Sequence, residues 1–293
     1  MASLKEIRKR ISSVKSTRQI TSAMKMVAAA RLRKAQDRIV KLRPYAAKMQ
    51  ELLLDVSMRM EQKEGDEQYS RKGRTDNVLI IVVTSNKGLC GSFNMNVIKE
   101  TRRVIEENYS KHYNDGSLWL MTIGKTGYDY FRKRDFNIYQ NHAGIFDDLT
   151  FENSSAIAAD VMENFLKGEF DRIEFVYNKF RNAAVQDLSY ETFLPVETGN
   201  TDDEAGNIDY IFEPSKEEII EELIPKTLKI QFFRTLLDSY VAEHGARMTA
   251  MHMATDNATE LIRDLNLEYN KERQASITNQ ILEVVSGADA LGD

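Results

Sequence analysis

The two ends of the chain share a periodic pattern of apolar residues. Near the N-terminus, apolar side chains recur at steps of three and four, the spacing of one face of an α-helix. After a stretch of small residues the stripe resumes with steps that alternate between 4 and 3, the pattern of a left-handed coiled coil. Its members are Leu4, Ile7, Ile11, Val14, Ala28, Leu32, Ala35, Ile39, Leu42, Ala46, Met49, Leu53, Val56 and Met60. Pro44 lies within the stripe and predicts a bend, because proline removes a backbone hydrogen bond.

A second long helix is predicted at the C-terminal end. Ser215 to Glu218 fits a capping box, in which a serine and a glutamate three residues later satisfy free backbone N–H groups. Pro225 falls near the start of this helix, and from there to Val285 the only glycine is Gly245 and no further proline occurs. Its seam again alternates steps of 4 and 3, through Tyr240, His244, Arg247, Met251, Ala254, Ala258, Leu261 and Leu265.

Both predicted helices are too long for a compact domain. At 1.5 Å per residue, residues 226–285 extend roughly 90 Å and the N-terminal helix roughly 80 Å. A globule of this chain length has a radius of gyration of about 19 Å. We therefore expect both helices to protrude, and to bury their apolar stripes against each other in an antiparallel coiled coil.

Between the helices the period changes to that of buried strands. Strands are predicted at residues 78–83 (VLIIVV), 118–123 (LWLMTI), 173–180 (IEFVYNKF) and 188–194 (LSYETFL). Helical segments alternate with them at Asn96–Asn108, Lys125–Arg134 and Ser154–Lys167, the last closed by Gly168. This alternation predicts a mostly parallel sheet with helices on its faces.

The predicted fold class is therefore α/β, with a long antiparallel coiled coil of the N- and C-terminal helices and an inserted Rossmann-like α/β domain. We place the coiled-coil helices at residues 1–60 and 212–286, and the α/β domain at residues 78–196. The polar stretches 61–77 and 197–207 are predicted to be loops.

Charge is distributed unevenly along the chain. Residues 1–43 hold 13 Lys and Arg and two acids, a balance of +11, so a total of −5 leaves −16 for the remainder. Such a split indicates an anionic partner for the N-terminal segment, whether nucleic acid, a membrane surface or an acidic protein. The plainer alternative is a solvated basic helix face. No apolar run approaches the roughly 20 residues that span a bilayer, and the N-terminus does not have the pattern of a secretory signal.

The loop TSNKGLCGSFN (84–94) is the best enzyme candidate, because it joins a strand to a helix and carries two glycines. However, Gly88 and Gly91 match neither the phosphate-binding loop G-x-x-x-x-G-K-[ST] nor the dinucleotide fingerprint G-x-G-x-x-G. We expect a tight turn in which glycine supplies a positive φ. Cys90 is the only cysteine of the chain, which excludes an intramolecular disulfide, and we expect a buried structural thiol.

Other residues point to no chemistry. His244 and His252 lie eight positions apart on the long helix, too far to share one metal, and the acid pairs 147–148 and 202–203 are expected to be solvated. We predict no catalytic residue, no metal and no cofactor. By contrast, Arg273, Gln274 and Thr278 form a polar cluster before an apolar C-terminal segment, ILEVVSGADAL (281–291), which needs a partner to enclose it.

Several long motifs carry a family resemblance. These motifs are RISSVKSTRQITSAMKMVAAARLRKAQ (10–36), TSNKGLCGSFN (84–94), ARMTAMHMATDNATELI (246–262) and LEYNKERQASITNQILEVVSGADAL (267–291). The sequence resembles the γ subunit family of F-type ATP synthase. The resemblance implies a central rotor shaft that couples proton-driven rotation to ATP synthesis in the β subunits. It implies no active site of its own. The implied partners are the ring of α and β subunits, the ε subunit and the membrane c-ring.

The resemblance also implies particular contacts. Arg273, Gln274 and, with them, Thr278 match residues that contact a loop of the β subunit, and Met24 and Lys25 lie where the N-terminal helix faces acidic β levers. Asn86 and Lys87 depart from the more usual acid–base pair of the family. The implied location is the cytoplasmic face of a bacterial inner membrane, as a peripheral protein.

Two other functions stay open at this stage. The first is a stand-alone nucleotide-binding α/β enzyme that carries a coiled-coil arm, which ATP titration would detect. The second is a nucleic-acid scaffold that uses residues 1–43, which predicts salt-sensitive duplex binding. That basic run lacks the interleaved aromatic residues of a single-strand site.

Overall fold

The computed structural model of the chain describes residues 3–58, 69, 75–196 and 216–289. The helices are α1 Leu4–Met58, α2 Phe93–Asn108, α3 Ser110–Asp115, α4 Lys125–Arg132, α5 Phe151–Lys167 and α6 Lys216–Asp289, with a short 3-10 helix at Ala143–Phe146. The strands are β1 Val78–Val83, β2 Leu118–Ile123, β3 Ile138–Asn141, β4 Arg172–Phe180 and β5 Gln186–Leu194. The chain divides into two compact units, Met1–Ala28 with Met248–Asp293, and Ala29–Arg247.

The sheet has the order β3-β2-β1-β4-β5. β1 pairs in parallel with β2 and β4, β2 pairs in parallel with β3, and only β5 runs antiparallel, against β4. Every residue of β1 is buried, as expected for a central parallel strand with both faces covered. The four predicted strands are confirmed. The strand β3, the helix α3 and the 3-10 helix were not predicted, because segments of only four to six residues are too short to show a clear period.

Helices cover both faces of the sheet. On one face, Val78, Ile80 and Val82 of β1 pack with Val97 and Ile98 of α2. On the other face, the rings of Phe175 (β4) and Phe193 (β5) contact Phe232 of α6, with centroids 5.3 and 5.8 Å apart. The C-terminal helix is therefore part of the core of the α/β domain.

The terminal helices pack against each other in the unit that contains the chain ends. Ile7 and Ile11 of α1 form an apolar cluster with Leu265 of α6. Further along α1, the hydroxyl oxygens of Thr21 and Thr255 lie 2.9 Å apart. Since later residues of α1 meet earlier residues of α6, the two helices run antiparallel, as predicted.

The predicted seam of α6 is wrong at one position. Leu261 is 38% exposed, whereas Ile262 is buried between Ala258 and Leu265. The predicted seam runs from residue 254 to 258 and then to 261, but the contact between the Thr21 and Thr255 hydroxyls shows that Thr255 faces α1. From Thr255 the steps are 3, 4 and 3, which bring residues 258, 262 and 265 to the interface. A threonine inside the seam had hidden this register.

The same two helices also pair within the unit that contains the sheet. Ala46 and Met49 of α1 form an apolar cluster with Ile230 of α6. Of the predicted α1 stripe, Ile7, Ile11, Ala28, Leu32, Ala35, Ile39, Ala46 and Met49 are buried. The helix assignment runs without interruption through Pro44 in α1 and through Pro225 in α6. Met60, the Ser215–Glu218 capping box taken as a whole, the loop 197–207 and most of the loop 61–77 lie outside the described residues.

One ion pair joins α1, the sheet and α6. The Arg43 Nη2 atom donates to Asp238 Oδ1 at 2.7 Å and to the Phe180 carbonyl at 2.8 Å. Asp238 is 1% exposed, and this burial raises the pKa of its carboxyl group, while Arg43 acts in the opposite direction. The guanidinium therefore keeps a buried carboxylate in place at the point where three elements meet.

Arg43→Met is expected to destabilise the sheet-containing unit at neutral pH. Removing one partner of a fully buried pair costs roughly 3–5 kcal/mol, and we expect less than this here because Arg43 is partly exposed. The pKa of Asp238 in the folded chain lies above the ordinary carboxyl value of 3.8. The free-energy cost of its buried charge is therefore absent below pH 3.8, and it appears as the pH rises through the folded-state pKa. Arg43→Met raises that pKa further, so the deficit shrinks as the pH falls.

Urea unfolding of the full chain at pH 5 and pH 7 measures this effect. Lys41→Met is the matched control, because Lys41 is an exposed cation two residues away on the same helix. Equal losses of stability in the two variants at both pH values contradict the assigned role of Arg43.

Candidate functional site

The loop between β1 and α2 makes a closed set of hydrogen bonds within the chain. The Ser85 N–H donates to Asn94 Oδ1 at 2.9 Å, and the Asn94 Nδ2 donates to Ser85 Oγ at 2.8 Å. Gly91 has a φ of 61°, so the predicted glycine turn is confirmed, and Leu89 also has a positive φ, of 62°. The polar groups of Ser85 and Asn94 therefore bind each other and stabilise the conformation of the loop.

The N-terminus of α4 faces this loop, and its free N–H groups are satisfied there. The Lys125 N–H donates to Asn86 Oδ1 at 3.0 Å, and the Gly127 N–H donates to Thr84 Oγ1 at 3.0 Å. Between them, the Thr126 N–H donates to the Ser85 carbonyl at 3.2 Å. These are the groups that would bind a phosphate at a helix N-terminus. Here the chain itself supplies the acceptors.

Close packing leaves no room for a ligand at the same point. A Cβ atom added to Gly124 would lie 2.1 Å from the Thr84 carbonyl oxygen, and one added to Gly127 would lie 2.9 Å from Thr84 Oγ1. Gly124 also has a φ of 109°, which a side chain rarely tolerates. The glycines therefore allow β1 and α4 to approach each other, and do not form a cradle for a phosphate.

Asn86 connects three loops through the two ends of its amide. Its Oδ1 accepts from the Lys125 N–H, and its Nδ2 donates to the Ala143 carbonyl at 2.7 Å. A carboxylate at this position would accept the first bond but could not donate the second. Asn86 thus has a local structural use, in the contact between the loops that follow β1, β2 and β3.

Cys90 has none of the properties of a nucleophile. Its side chain is 2% exposed, and burial raises the pKa of the thiol. The Asn94 Nδ2 lies 3.3 Å from its sulfur. The prediction of a buried structural thiol is confirmed.

The histidines and acids form no metal site in the part of the chain that the structure describes. There, no group of three or more His, Cys, Asp or Glu residues is placed to hold a metal ion. His244 is buried, and its pKa is lowered to about 4 by burial and by the charges of Arg247 and Arg31. His252 is exposed and lies 3.3 Å from Asp256 one turn later. Asp147 and Asp148 are exposed, as predicted.

The predicted partner-contact residues all lie on the terminal helices. Met24 and Lys25 on α1 are half-buried, whereas Arg273, Gln274 and Thr278 on α6 are exposed. The Thr278 hydroxyl donates to the Gln274 carbonyl at 3.0 Å, so its oxygen keeps only acceptor capacity for a partner. The structure brings these three α6 residues to successive turns of one helix.

Several exposed apolar residues near these positions were not predicted from the sequence. On α1 they are Ile20, Met26 and Val27, and on α6 they are Met253, Leu267 and Ile277, with exposed fractions between 48% and 63%. They lie off the predicted seam, and that offset is the signal that would have found them. Ile281, Leu282, Val284 and Val285 of the apolar C-terminal segment are also 50–71% exposed. Such a concentration of exposed apolar side chains indicates an interaction surface.

Among the described residues, no helix contains a stretch long and apolar enough to cross a membrane.

Named relatives match the chain over nearly its whole length. The family model described as ATP synthase matches residues 3–291. An ATP synthase gamma chain from Christiangramia forsetii is 52% identical over 291 residues, which cover 99% of each chain. The protein of the same name from Flavobacterium johnsoniae is 53% identical, with the same coverage.

Solved structures share the fold at low identity. A chain from the Euglena gracilis mitochondrial ATP synthase, in a structure described as OSCP/F1/c-ring in rotational state 3, superposes with a TM-score of 0.68 at 20% identity, covering 98% of this chain and 94% of that one. A chain from a Euglena structure described as the rotor in rotational state 1 gives a TM-score of 0.62 at 20% identity, covering 94% and 98%. These matches show a shared fold, and the full-length relatives with the family model show that the chain belongs to the ATP synthase gamma chain family.

Proposed function

We propose that this chain is the central rotor shaft of an F-type ATP synthase, and that it couples proton-driven rotation of the c-ring to ATP synthesis in the catalytic β subunits. The observation that carries the proposal is the match to ATP synthase gamma chains over 99% of the chain at 52–53% identity. Similar solved chains come from structures described as a rotor and as a central stalk with a c-ring. In this proposal the chain is a non-catalytic subunit of the rotary ATPase complex.

The geometry supports a subunit without chemistry of its own. The two places where an α/β fold would bind a phosphate, the β1–α2 loop and the α4 N-terminus, are filled by side chains and carbonyls of the chain itself. The only thiol is buried, and the burial raises its pKa. A rotor subunit needs no substrate pocket, whereas a nucleotide enzyme does.

A rotating shaft transmits energy through differences in contact. Each orientation of an asymmetric shaft presents different side chains to each of the surrounding β subunits. A β conformation that is contacted more favourably becomes more populated, and its nucleotide affinity changes with it. The mechanism therefore requires polar and apolar contact residues spread unevenly around α1 and α6.

We assign the β contacts to Met24 and Lys25 on α1 and to Arg273, Gln274 and Thr278 on α6. Guanidinium groups suit bidentate contacts with carboxylates, and Arg273 is exposed and free to reach a partner. Residues 1–43 hold 13 basic and only two acidic residues, and this positive charge fits acidic partner surfaces. The exposed apolar residues of α6 from Ile277 to Val285 fit an enclosing apolar collar.

The proposed partners include the catalytic ring as well as subunits on the membrane side. We propose contacts with the ring of α and β subunits, the ε subunit and the membrane c-ring, and a peripheral position on the cytoplasmic face of a bacterial inner membrane. Similar solved structures are described as a rotor, as a central stalk with a c-ring, and as OSCP/F1/c-ring. In this arrangement the chain reaches the bilayer only through the c-ring.

The isolated chain is expected not to bind ATP, because its phosphate-binding positions are already satisfied internally. Isothermal titration with Mg-ATP at up to millimolar concentration should show no saturable heat. The same protein, affinity-tagged in solubilised membranes, should co-purify with α and β subunits. Saturable micromolar ATP binding together with no co-purification would instead support the stand-alone enzyme.

Arg273→Ala combined with Gln274→Ala is expected to reduce coupling by roughly tenfold or more. The double substitution removes a charge-assisted hydrogen bond from Arg273 and a neutral hydrogen bond from Gln274 to the β subunit. The readout is ATP-driven proton pumping per ATP hydrolysed in membrane vesicles. Circular dichroism should show an unchanged α/β domain.

Arg263→Ala serves as the matched control for that double substitution. Arg263 is an exposed arginine on the same helix, ten residues before Arg273, and we assign it no β contact. If the double variant pumps and hydrolyses like the wild type, or if the control is equally impaired, the assigned contact residues are wrong.

A further inference from the structure

Helix α6 contacts the loops at the carboxyl ends of the parallel strands. The sheet order changes direction between β1 and β4, and in open α/β sheets ligands bind beside the carboxyl ends of the strands at such a switch point. In this chain the loops after β1, β3 and β4 all contact the segment Tyr240–Arg247 of α6. The contacts of that segment therefore show what lies at the switch point of the sheet.

Arg247 contacts the loop after β1. Its Nη2 atom donates to the Lys87 carbonyl at 2.8 Å and to the Gly88 carbonyl at 3.3 Å. Its Nη1 atom donates to Glu243 one turn earlier, and the Arg247 and Glu243 side chains are only 11% and 9% exposed. A nearly buried guanidinium thus joins two consecutive carbonyls of the loop to a buried acid of the helix.

The loop depends on contacts of this kind. Directly after Gly88, Leu89 has a φ of 62° although it is not a glycine, and its side chain is 64% exposed. A residue in this conformation is strained, and it persists only where its surroundings hold it. Arg247 binds the two carbonyls that immediately precede Leu89. Cys90, which follows it, is buried at 2% exposure.

Two further contacts fix the same segment to the other loops. A Cβ atom on Gly245 would lie 3.3 Å from the backbone of Ala183, in the loop after β4, so the helix backbone approaches that loop closely. The ring of Tyr240 stacks on Phe146, after β3, with centroids 6.0 Å apart and an interplanar angle of 17°. Two turns of α6 are thereby held at three points along the edge of the sheet.

We infer that the segment Tyr240–Arg247 of α6 lies, as an internal ligand, where a fold of this kind binds its ligand, and that the contact of Arg247 with the Lys87 and Gly88 carbonyls is the joint through which the α/β domain turns the helix. This contact is called the Arg247 clasp. The second half of this inference rests on the proposed rotor function. A joint must resist torsion, and directional hydrogen bonds from a buried guanidinium to two carbonyls add to the resistance that the apolar packing of α6 provides. Arg247 acts here as a positioning residue and touches no substrate.

Cys90 provides a built-in probe of the clasp, because it is the only thiol of the chain and lies three residues after Lys87. In the full-length protein, Arg247→Ala is expected to increase the labelling rate of Cys90 by a disulfide reagent about tenfold or more, since a charged donor is lost from the loop. Arg247→Lys keeps the charge without the planar fork and should give an increase of a few fold. It carries the test if the alanine variant does not fold.

Lys226→Ala is the matched control for these variants. Lys226 is an exposed cation on the same helix and within the same unit, and its replacement should leave Cys90 labelling unchanged. The clasp is overturned if a folded Arg247 variant labels Cys90 at the wild-type rate. It is also overturned if Lys226→Ala speeds Cys90 labelling as much as the Arg247 variants do.

Coupling in the assembled complex tests the joint. In membrane vesicles the Arg247 variants should pump at least twofold fewer protons per ATP hydrolysed, while Lys226→Ala pumps normally. Faster Cys90 labelling with full coupling overturns the role in torque. If instead the wild-type chain does not co-purify with α and β subunits, the rotor function fails while the labelling result still decides the clasp.

Discussion

The pairing of α1 with α6 is the interaction on which the rest of the structure depends. Each helix carries one apolar stripe along most of its length, and a single helix in water would leave that stripe exposed. In the unit of the chain ends, Ile7 and Ile11 bury against Leu265. In the sheet-containing unit, Ala46 and Met49 bury against Ile230. Because the partners are the two ends of one chain, the α/β domain is necessarily an insertion between them.

Polar pairs inside these interfaces define how the helices align. Thr21 meets Thr255 hydroxyl to hydroxyl, and Arg43 meets the buried Asp238. Such pairs add little to stability compared with apolar packing, but a slip of the helices would leave them buried and unpaired. We attribute the register of α1 on α6 in each unit to these pairs, as much as to the apolar stripe.

The α/β domain keeps the topology of a ligand-binding fold, but its ligand positions hold parts of the chain. Asn86, Ser85 and Thr84 occupy the N-terminus of α4, and Arg247 with its neighbours lies across the carboxyl ends of the strands. The physical features that attract a phosphate, free N–H groups and space beside them, are therefore absent from this described edge of the sheet. A fold of this kind can serve as a rigid mounting for a helix, because the same crevice that orients a ligand can orient a protein segment.

The sequence by itself determined the elements whose periodicity is long or strong. The stripe of α1, the buried run of β1 and the C-terminal cap at Gly168 are local patterns, and each predicts its own structure. The family motifs then indicated the function, since they extend over both termini and the central loop. Only the tertiary structure decided the features that depend on distant residues. Thr255 joins the seam because Thr21 lies opposite it, and β3 forms because β2 offers an unpaired edge. The β1–α2 loop is closed because Arg247, 160 residues away, donates to its carbonyls. No local pattern contains such contacts, because their free energy comes from groups that the chain brings together only when it folds.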